Sequence, residues 1–373
     1  MSVILSKEDI KNVLYGATFL GSGGGGSLKD GLRLLEEFTN EEVKLELIRP
    51  DEMEEEVYAA SVGGIGAPRA MIESHFGPEA IYAFEGMQKV AFFSGKDIKY
   101  VMGGELGGFN TMVPIYVALK KGIPFIDGDG NGRAVPELST GLQPIHNVLP
   151  FPLVVSGGNG DTVVVFIKDH KNHESAENLA RHVSMANGMS AAFCTWLATG
   201  DDIINKLASN TITESMRIGE AIVNARDDNL NLENEISKIK ECKEVCQGEI
   251  TDIQLNTEGG FDFGTTFIKG SGEYIDKSFT IDFKNENLVI KDEQNKVLLT
   301  VPDMLCMVNT ETYEPVTNAD IEIGMNISIY ATSATENWWK NDEGFNNWRH
   351  ILTKVGYDGG VVKFTGKESL ANS

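Results

Sequence analysis

GATFLGSGGGGSLKDG, residues 16–31, places four consecutive glycines, Gly23 to Gly26, between the end of one expected helix and the start of another. Gly21, Gly23 and Gly26 satisfy the spacing G-x-G-x-x-G, which marks a dinucleotide site only when a strand precedes it. The residues ahead of it read as helix. Ser6 and Asp9 form a capping box, and Ile10, Val13, Leu14 and Ala17 follow at helical spacing. A Rossmann reading is therefore discounted, and no Lys-Ser or Lys-Thr follows the last glycine as a phosphate loop requires. Behind the run, Ser27 and Asp30 predict a second capped helix whose apolar positions are Leu28, Leu32 and Leu35. A glycine loop opening a capped helix offers backbone amides to an anion. A flexible linker and a close helix contact are the plainer readings of the same residues.

Working outward, the chain has 373 residues and 41% apolar content, enough for two domains or one domain with a large insertion. Lys and Arg total 32 against 55 Asp and Glu, a formal charge of −23. That charge repels nucleic acid and anionic membrane surfaces and favours small-molecule partners. No apolar run approaches a membrane span, and MSVILSKEDI lacks the basic start and long apolar core of a signal peptide, so a cytoplasmic protein is expected. Four cysteines without a C-x-x-C make no disulfide framework. Cys194 and Cys306 read as small core residues, and Cys242 and Cys246 as one face of a helix ending near Gly248.

The first 150 residues alternate strand and helix in the manner of an α/β domain. Strands are predicted over 43–48, 57–66, around YVMGG from Tyr100, and over 123–126, with helices over 78–90 and 110–121. Three of these strands run into glycine-rich polar loops, where ligands gather in open α/β sheets. From Ser175 to about Lys243 the pattern is read as helical, with Leu179, Val183, Ala186, Phe193 and Leu197 on one face, then Ile218, Ala221 and Val223. After Gly248, short alternating segments such as FTIDF, NLVI, KVLLTVP and NISIYA predict a compact β domain. The expected organisation is an α/β domain over 1–168 and, over 169–373, a helical segment followed by a β-rich domain: a two-domain α+β protein overall. Its edge strands suit a symmetric homo-oligomer.

Between Gly103 and Glu137 the sequence concentrates polar groups among glycines: Glu105, Asp127, Asp129, Asn131, Arg133 and Glu137. The spacing of Asp127, Asp129, Asn131 and Gly132 resembles the opening of a calcium loop, but the twelfth position is Leu138 and a strand precedes where a helix is needed. No metal site is assigned and no cofactor is expected, although carboxylates with a bound ligand leave room for a divalent cation. Each acid taken singly has a plain reading as a turn residue or helix cap. His75 and His146 follow loops and are candidate bases. His170, His173 and His182 lack metal-ligand spacing.

GSGGGG, GGELGGFN and above all IDGDGNGRAVPEL, with TVPDMLCMVNTETYEPV, the Trp338–Trp339 segment and VGYDGG, resemble the S-methyl thiohydantoin desulfurase family over nearly the whole chain. The resemblance implies an α/β N-terminal part, a β-rich C-terminal part and a cyclic imide or thiohydantoin-like substrate, with hydrolytic C–N or C–S chemistry. On an enzyme reading, the amides of Gly23, Gly24, Gly25, Gly26 and Ser27 hold an oxyanion. Asp127 or Asp129, with Glu105, activates a water, Arg133 stabilises negative charge, and His146 serves as a base. Ser22, Gly104, Asn110 and Glu137 are the remaining ligand contacts expected. The second reading is a metabolite-binding or accessory subunit of a hydantoinase-type system, and a nucleotide-dependent enzyme ranks third.

Overall fold

The computed structural model describes residues 2–258 and 260–366, with the backbone alone for 68, 69 and 72. Nine strands build the first sheet: β1 (Val3–Leu5), β2 (Leu45–Ile48), β3 (Val57–Gly66), β4 (Asp97–Gly103), β5 (Phe125–Asp129), β6 (Leu153–Gly157), β7 (Thr162–Val165), β8 (Ser190–Ala198) and β9 (Ala208–Ser209). Their order is β1-β2-β5-β4-β3-β8-β6-β7, with β9 alongside β5. The β2-β5-β4-β3 centre is parallel and every other pairing is antiparallel. The VYAASVGGIG run forms β3 over its full predicted length.

Helices cover both faces of this sheet, as a sheet with a parallel centre requires. In chain order they are α1 (Lys7–Leu20), α2 (Leu28–Leu35), α3 (Pro68–Glu73), α4 (Pro78–Phe93), α5 (Gly108–Lys121), α6 (Leu142–Ile145), α7 (His173–Ala186), α8 (Gly200–Asn205), α9 (Thr211–Asp228) and α10 (Leu232–Ser237). Ser6 and Asp9 complete the capping box of α1, and the Ser27 hydroxyl accepts the Asp30 amide at the start of α2. The apolar stripes of α1, α2, α4, α5 and α9 close one core against the sheet. Ala176 and Ala180 of α7 and Ile203 of α8 join a second core on the other face.

The stretch expected to stay helical after Ser175 contains β8, which brings Phe193 and Leu197 into the middle of the first sheet. Every residue of β8 is buried, so the two-residue alternation that announces a strand is absent. Cys242 and Cys246 likewise lie on a strand rather than a helix. That strand opens a seven-stranded antiparallel sheet: β10 (Cys242–Glu258), β11 (Phe261–Gly270), β12 (Ser278–Lys284), β13 (Glu286–Asp292), β14 (Val297–Thr300), β15 (Met304–Asn309) and β16 (Asn326–Thr332), ordered β14-β13-β12-β11-β10-β16-β15. Two short helices, α11 (Glu343–Asn346) and α12 (Arg349–Lys354), follow.

The two sheets share their cores. Met304, Cys306, Val308 and Tyr330 from the second sheet complete the apolar cluster of α1 and α9, while Leu288, Val301, Trp338 and Trp348 join the cluster on the opposite face. All four cysteines are buried, and burial pushes the Cys194, Cys246 and Cys306 thiols above the ordinary thiol range. No helix among the described residues is long and apolar enough to cross a membrane.

Candidate functional site

Glu105 follows β4 and precedes α5 at the carboxyl end of the parallel strands. Its carboxylate accepts the Asn110 side-chain amide at 2.5 Å and the Val135 backbone amide at 2.7 Å. Glu105, Gly104 and Asn110 are only partly buried, so this acid lies at the rim of the interior. Burial raises its pKa to about 7, against the opposing pull of those two donors, and the charges of Asp129 and Glu177 push in the same direction. Asn110, one of the expected ligand contacts, is thus hydrogen-bonded to Glu105.

Asp129 is fully buried at the end of β5. One oxygen accepts the Asn131 and Gly132 amides at 2.7 and 2.8 Å, and burial raises its pKa to about 6. Its other oxygen meets no hydrogen-bond partner among the described residues.

Asp127, which the sequence reading gives a share in activating water, has another task. It accepts the amides of Ile212 and Thr213 at 3.0 and 2.9 Å and the Thr213 hydroxyl at 2.6 Å. This is a cap for α9, satisfying amides that helix geometry leaves without intrahelical partners. Asp127→Ala is expected to cost about 2–3 kcal/mol in urea unfolding while leaving any turnover by the folded fraction unchanged.

Arg133 likewise has a different task from charge stabilisation at an open site. It is fully buried; Nε donates to the Ala134 carbonyl at 2.9 Å, and Nη1 donates to the carbonyls of Pro302 and Asp303, the latter at 3.1 Å. Its guanidinium packs over Trp348, 4.8 Å from the ring centroid. Arg133 thus ties the acidic loop to the β14–β15 turn, with Nη2 unpartnered among the described residues. His146, half-buried, bonds the Asn337 carbonyl at 3.1 Å, and among the described residues no hydrogen bond joins it to the acids. His75 is exposed.

The glycine run forms the seam between the sheets rather than an open cradle. Gly23, Gly24 and Gly25 are buried. The Ser22 and Gly23 carbonyls each accept an amide at 2.8 Å, from Asn287 and Asn318, and Gly25 accepts the Asn110 amide at 3.0 Å. The Ser22 hydroxyl accepts the Leu305 amide at 2.9 Å. A Cβ on Gly23 would lie 2.7 Å from the Asn318 side chain; on Gly24 it would collide with the Glu286 carboxylate, and on Gly25 with the Leu106 carbonyl. Close approach of backbone and side chains accounts for the run, and Gly26 alone of the four is exposed.

The residues that sequence reading missed come from the tip of the β12–β13 hairpin. Lys284, Glu286 and Asn287 are buried, with Asn285 in the left-handed region at φ +53°. Lys284 pairs with Glu137, whose other oxygen contacts His350 at 2.9 Å. Burial alone would raise Glu137, but the bonds to His350 and Lys284 outweigh it and bring its pKa to about 2. Glu286 is pushed well above the carboxylate range by burial first and then by the charge of Glu105. Lys284 ends β12 and Glu286 and Asn287 open β13, with Asn285 alone between them. Nothing local announces that the turn is inserted between the glycine run and the acidic loop.

Glu177 completes the surroundings, accepting the Leu138 amide at 2.9 Å and Nε and Nη2 of Arg181 at 3.0 and 2.8 Å. No set of three His, Cys, Asp or Glu side chains among the described residues is placed to hold a metal ion.

These features define a two-domain α/β protein with a curled antiparallel C-terminal sheet, whose candidate site is an acid cluster closed by residues of both parts. Family models described as the S-Me-THD-like N-terminal domain and the S-Me-THD-like C-terminal domain match residues 8–166 and 170–348. The chain belongs to the S-Me-THD-like family. A protein from Chromobacterium violaceum, solved by X-ray crystallography in a structural genomics programme, has the same fold. The two superpose with a TM-score of 0.83 at 20% identity, over 97% of this chain and 99% of that one. No curated protein matches the chain.

Proposed function

We propose that the protein is an enzyme that hydrolyses a C–N or C–S bond of a cyclic imide or thiohydantoin-like ring, with Glu105 as its acid–base group. The observation that carries this reading is the Glu105 carboxyl: partly accessible, held by Asn110 and the Val135 amide, and shifted to about 7. A group titrating near neutral pH can both take and return a proton. In the ionised form Glu105 removes a proton from water as the hydroxide oxygen bonds to the ring carbon. It then returns that proton to the ring nitrogen as the C–N bond breaks and the ring opens, or to the exocyclic thiol sulfur as the C–S bond breaks, leaving a closed ring with a carbonyl at that carbon. Asn110 and the Val135 amide keep the carboxylate oriented through both steps.

The test is turnover of five-membered imides and thiohydantoins, followed by chromatographic detection of the opened ring or of the closed ring with oxygen in place of sulfur. Because the base must be ionised, kcat/KM is expected to rise with pH and level off above about 7. Ring binding without any turnover would instead support the accessory-subunit reading. That second reading is favoured by one observation: Arg133 and the glycine carbonyls are engaged in the seam between the sheets.

A further inference from the structure

In a chain with 55 acidic and 32 basic residues, a gathering of cations stands against the field of the rest of the molecule. One such gathering adjoins Glu105. Phe261, at the start of β11, has the Arg181 guanidinium 4.4 Å and Lys284 Nζ 4.0 Å from its ring centroid. Lys284 also lies 5.2 Å and Lys354 5.7 Å from the Phe263 ring. Glu137 pairs with Lys284 and Glu177 with Arg181, and His350 approaches the other oxygen of Glu137. The corner is connected to the acid site through the backbone: Val135 bonds Glu105, Leu138 bonds Glu177, and Glu137 lies between them.

Arg181 directs Nε and Nη2 at one oxygen of Glu177, and among the described residues its Nη1 makes no hydrogen bond. Its side chain is 27% exposed, whereas that of Lys284 is fully enclosed. The accessible donor and the enclosed charge therefore flank the same aromatic ring, on the C-terminal sheet's approach to the site. A guanidinium with a free N–H beside an apolar wall suits a carboxylate on a short carbon arm.

We propose that Arg181, with Phe261 as its wall and Lys284 as the charge behind it, forms a subsite for a carboxylate carried by the ligand of the Glu105 site. The ring identity of that ligand rests on the proposed function; the anion subsite is a property of this corner and can be tested without the ring. Glutarate, compared with chloride at equal ionic strength, is expected to raise the melting temperature of the full chain by mass action. In Arg181→Gln and in Phe261→Leu its affinity should fall at least about tenfold. Equal responses to glutarate and chloride in the unsubstituted protein would overturn the proposal, as would undiminished glutarate binding in both folded variants. If glutarate binds through Arg181 while no imide or thiohydantoin is turned over, the subsite stands and the ring reading falls.

Discussion

Replacing Glu105 by glutamine is expected to lower kcat for hydrolysis of the ring substrate about 100- to 10,000-fold, the usual contribution of a positioned acid–base group. The substitution keeps the shape of the side chain and an oxygen for the Val135 amide or Asn110, so the fold should persist. Stability supplies an independent control. With a folded pKa near 7 against an ordinary 4.5, Glu105 binds its proton more tightly in the native state than in the unfolded chain. Native stability therefore declines as pH rises from about 4.5 toward about 7, where the unfolded carboxyl has ionised and the buried one resists. Glutamine removes that slope. Melting curves of the variant should thus overtake those of the unsubstituted protein as pH increases, while its turnover stays low throughout. Retention of kcat within a few-fold in Glu105→Gln would remove Glu105 from the chemistry.

Gly25→Ala is expected to destabilise the protein by about 3–5 kcal/mol, a large part of the 5–15 kcal/mol typical of a folded domain. Two costs combine there. Gly25 adopts φ +76°, where a side chain is strained, and its Cβ would meet the Leu106 carbonyl and lie 2.5 Å from Gly107 Cα. Neither neighbour is the free end of a flexible side chain, so relief requires the backbone of the α5 entry to move. Gly122 separates the two contributions, since it has φ +61° and nothing lies within 4 Å of the position a Cβ would take there. Gly122→Ala should therefore cost only about 1 kcal/mol. Urea unfolding followed by tryptophan fluorescence measures both, and similar midpoints for the two variants would show that the seam does not depend on the missing side chain.

Much of the first sheet is legible in the sequence because its signals are local. Ser6 with Asp9 announces α1, and VYAASVGGIG announces β3, each from a few neighbouring residues. AAFCTWLA is not legible as a strand because burial on both faces of β8 leaves an unbroken apolar run, which spacing alone cannot separate from a buried helix. At the site, the crowding of acids between Gly103 and Glu137 points to the right loops, but composition does not distinguish a helix cap from a chemical group. Asp127 and Asp129 are two residues apart, and only the position of α9 decides that the first is its cap. Lys284, Glu286 and Asn287 are invisible for another reason: their partners lie far away in the chain, and a Lys-Asn-Glu-Asn turn ordinarily faces solvent.

The bonds from Asn287 to Ser22 and from Asn318 to Gly23 bear on how the chain comes apart. They join segments separated by more than half the sequence, at the place where backbone carbonyls of the first part are taken up by amides of the second. The apolar clusters on both sides of the first sheet also draw members from the second sheet. The two matched domains therefore share these packed interiors rather than each closing its own. Severed near residue 168, the N-terminal piece would lack β8 and α9 as well as the hairpin that seals its glycine run. The C-terminal piece would carry β8 without the strands that flank it. Native order in the acid cluster therefore depends on contacts that only the whole chain can close.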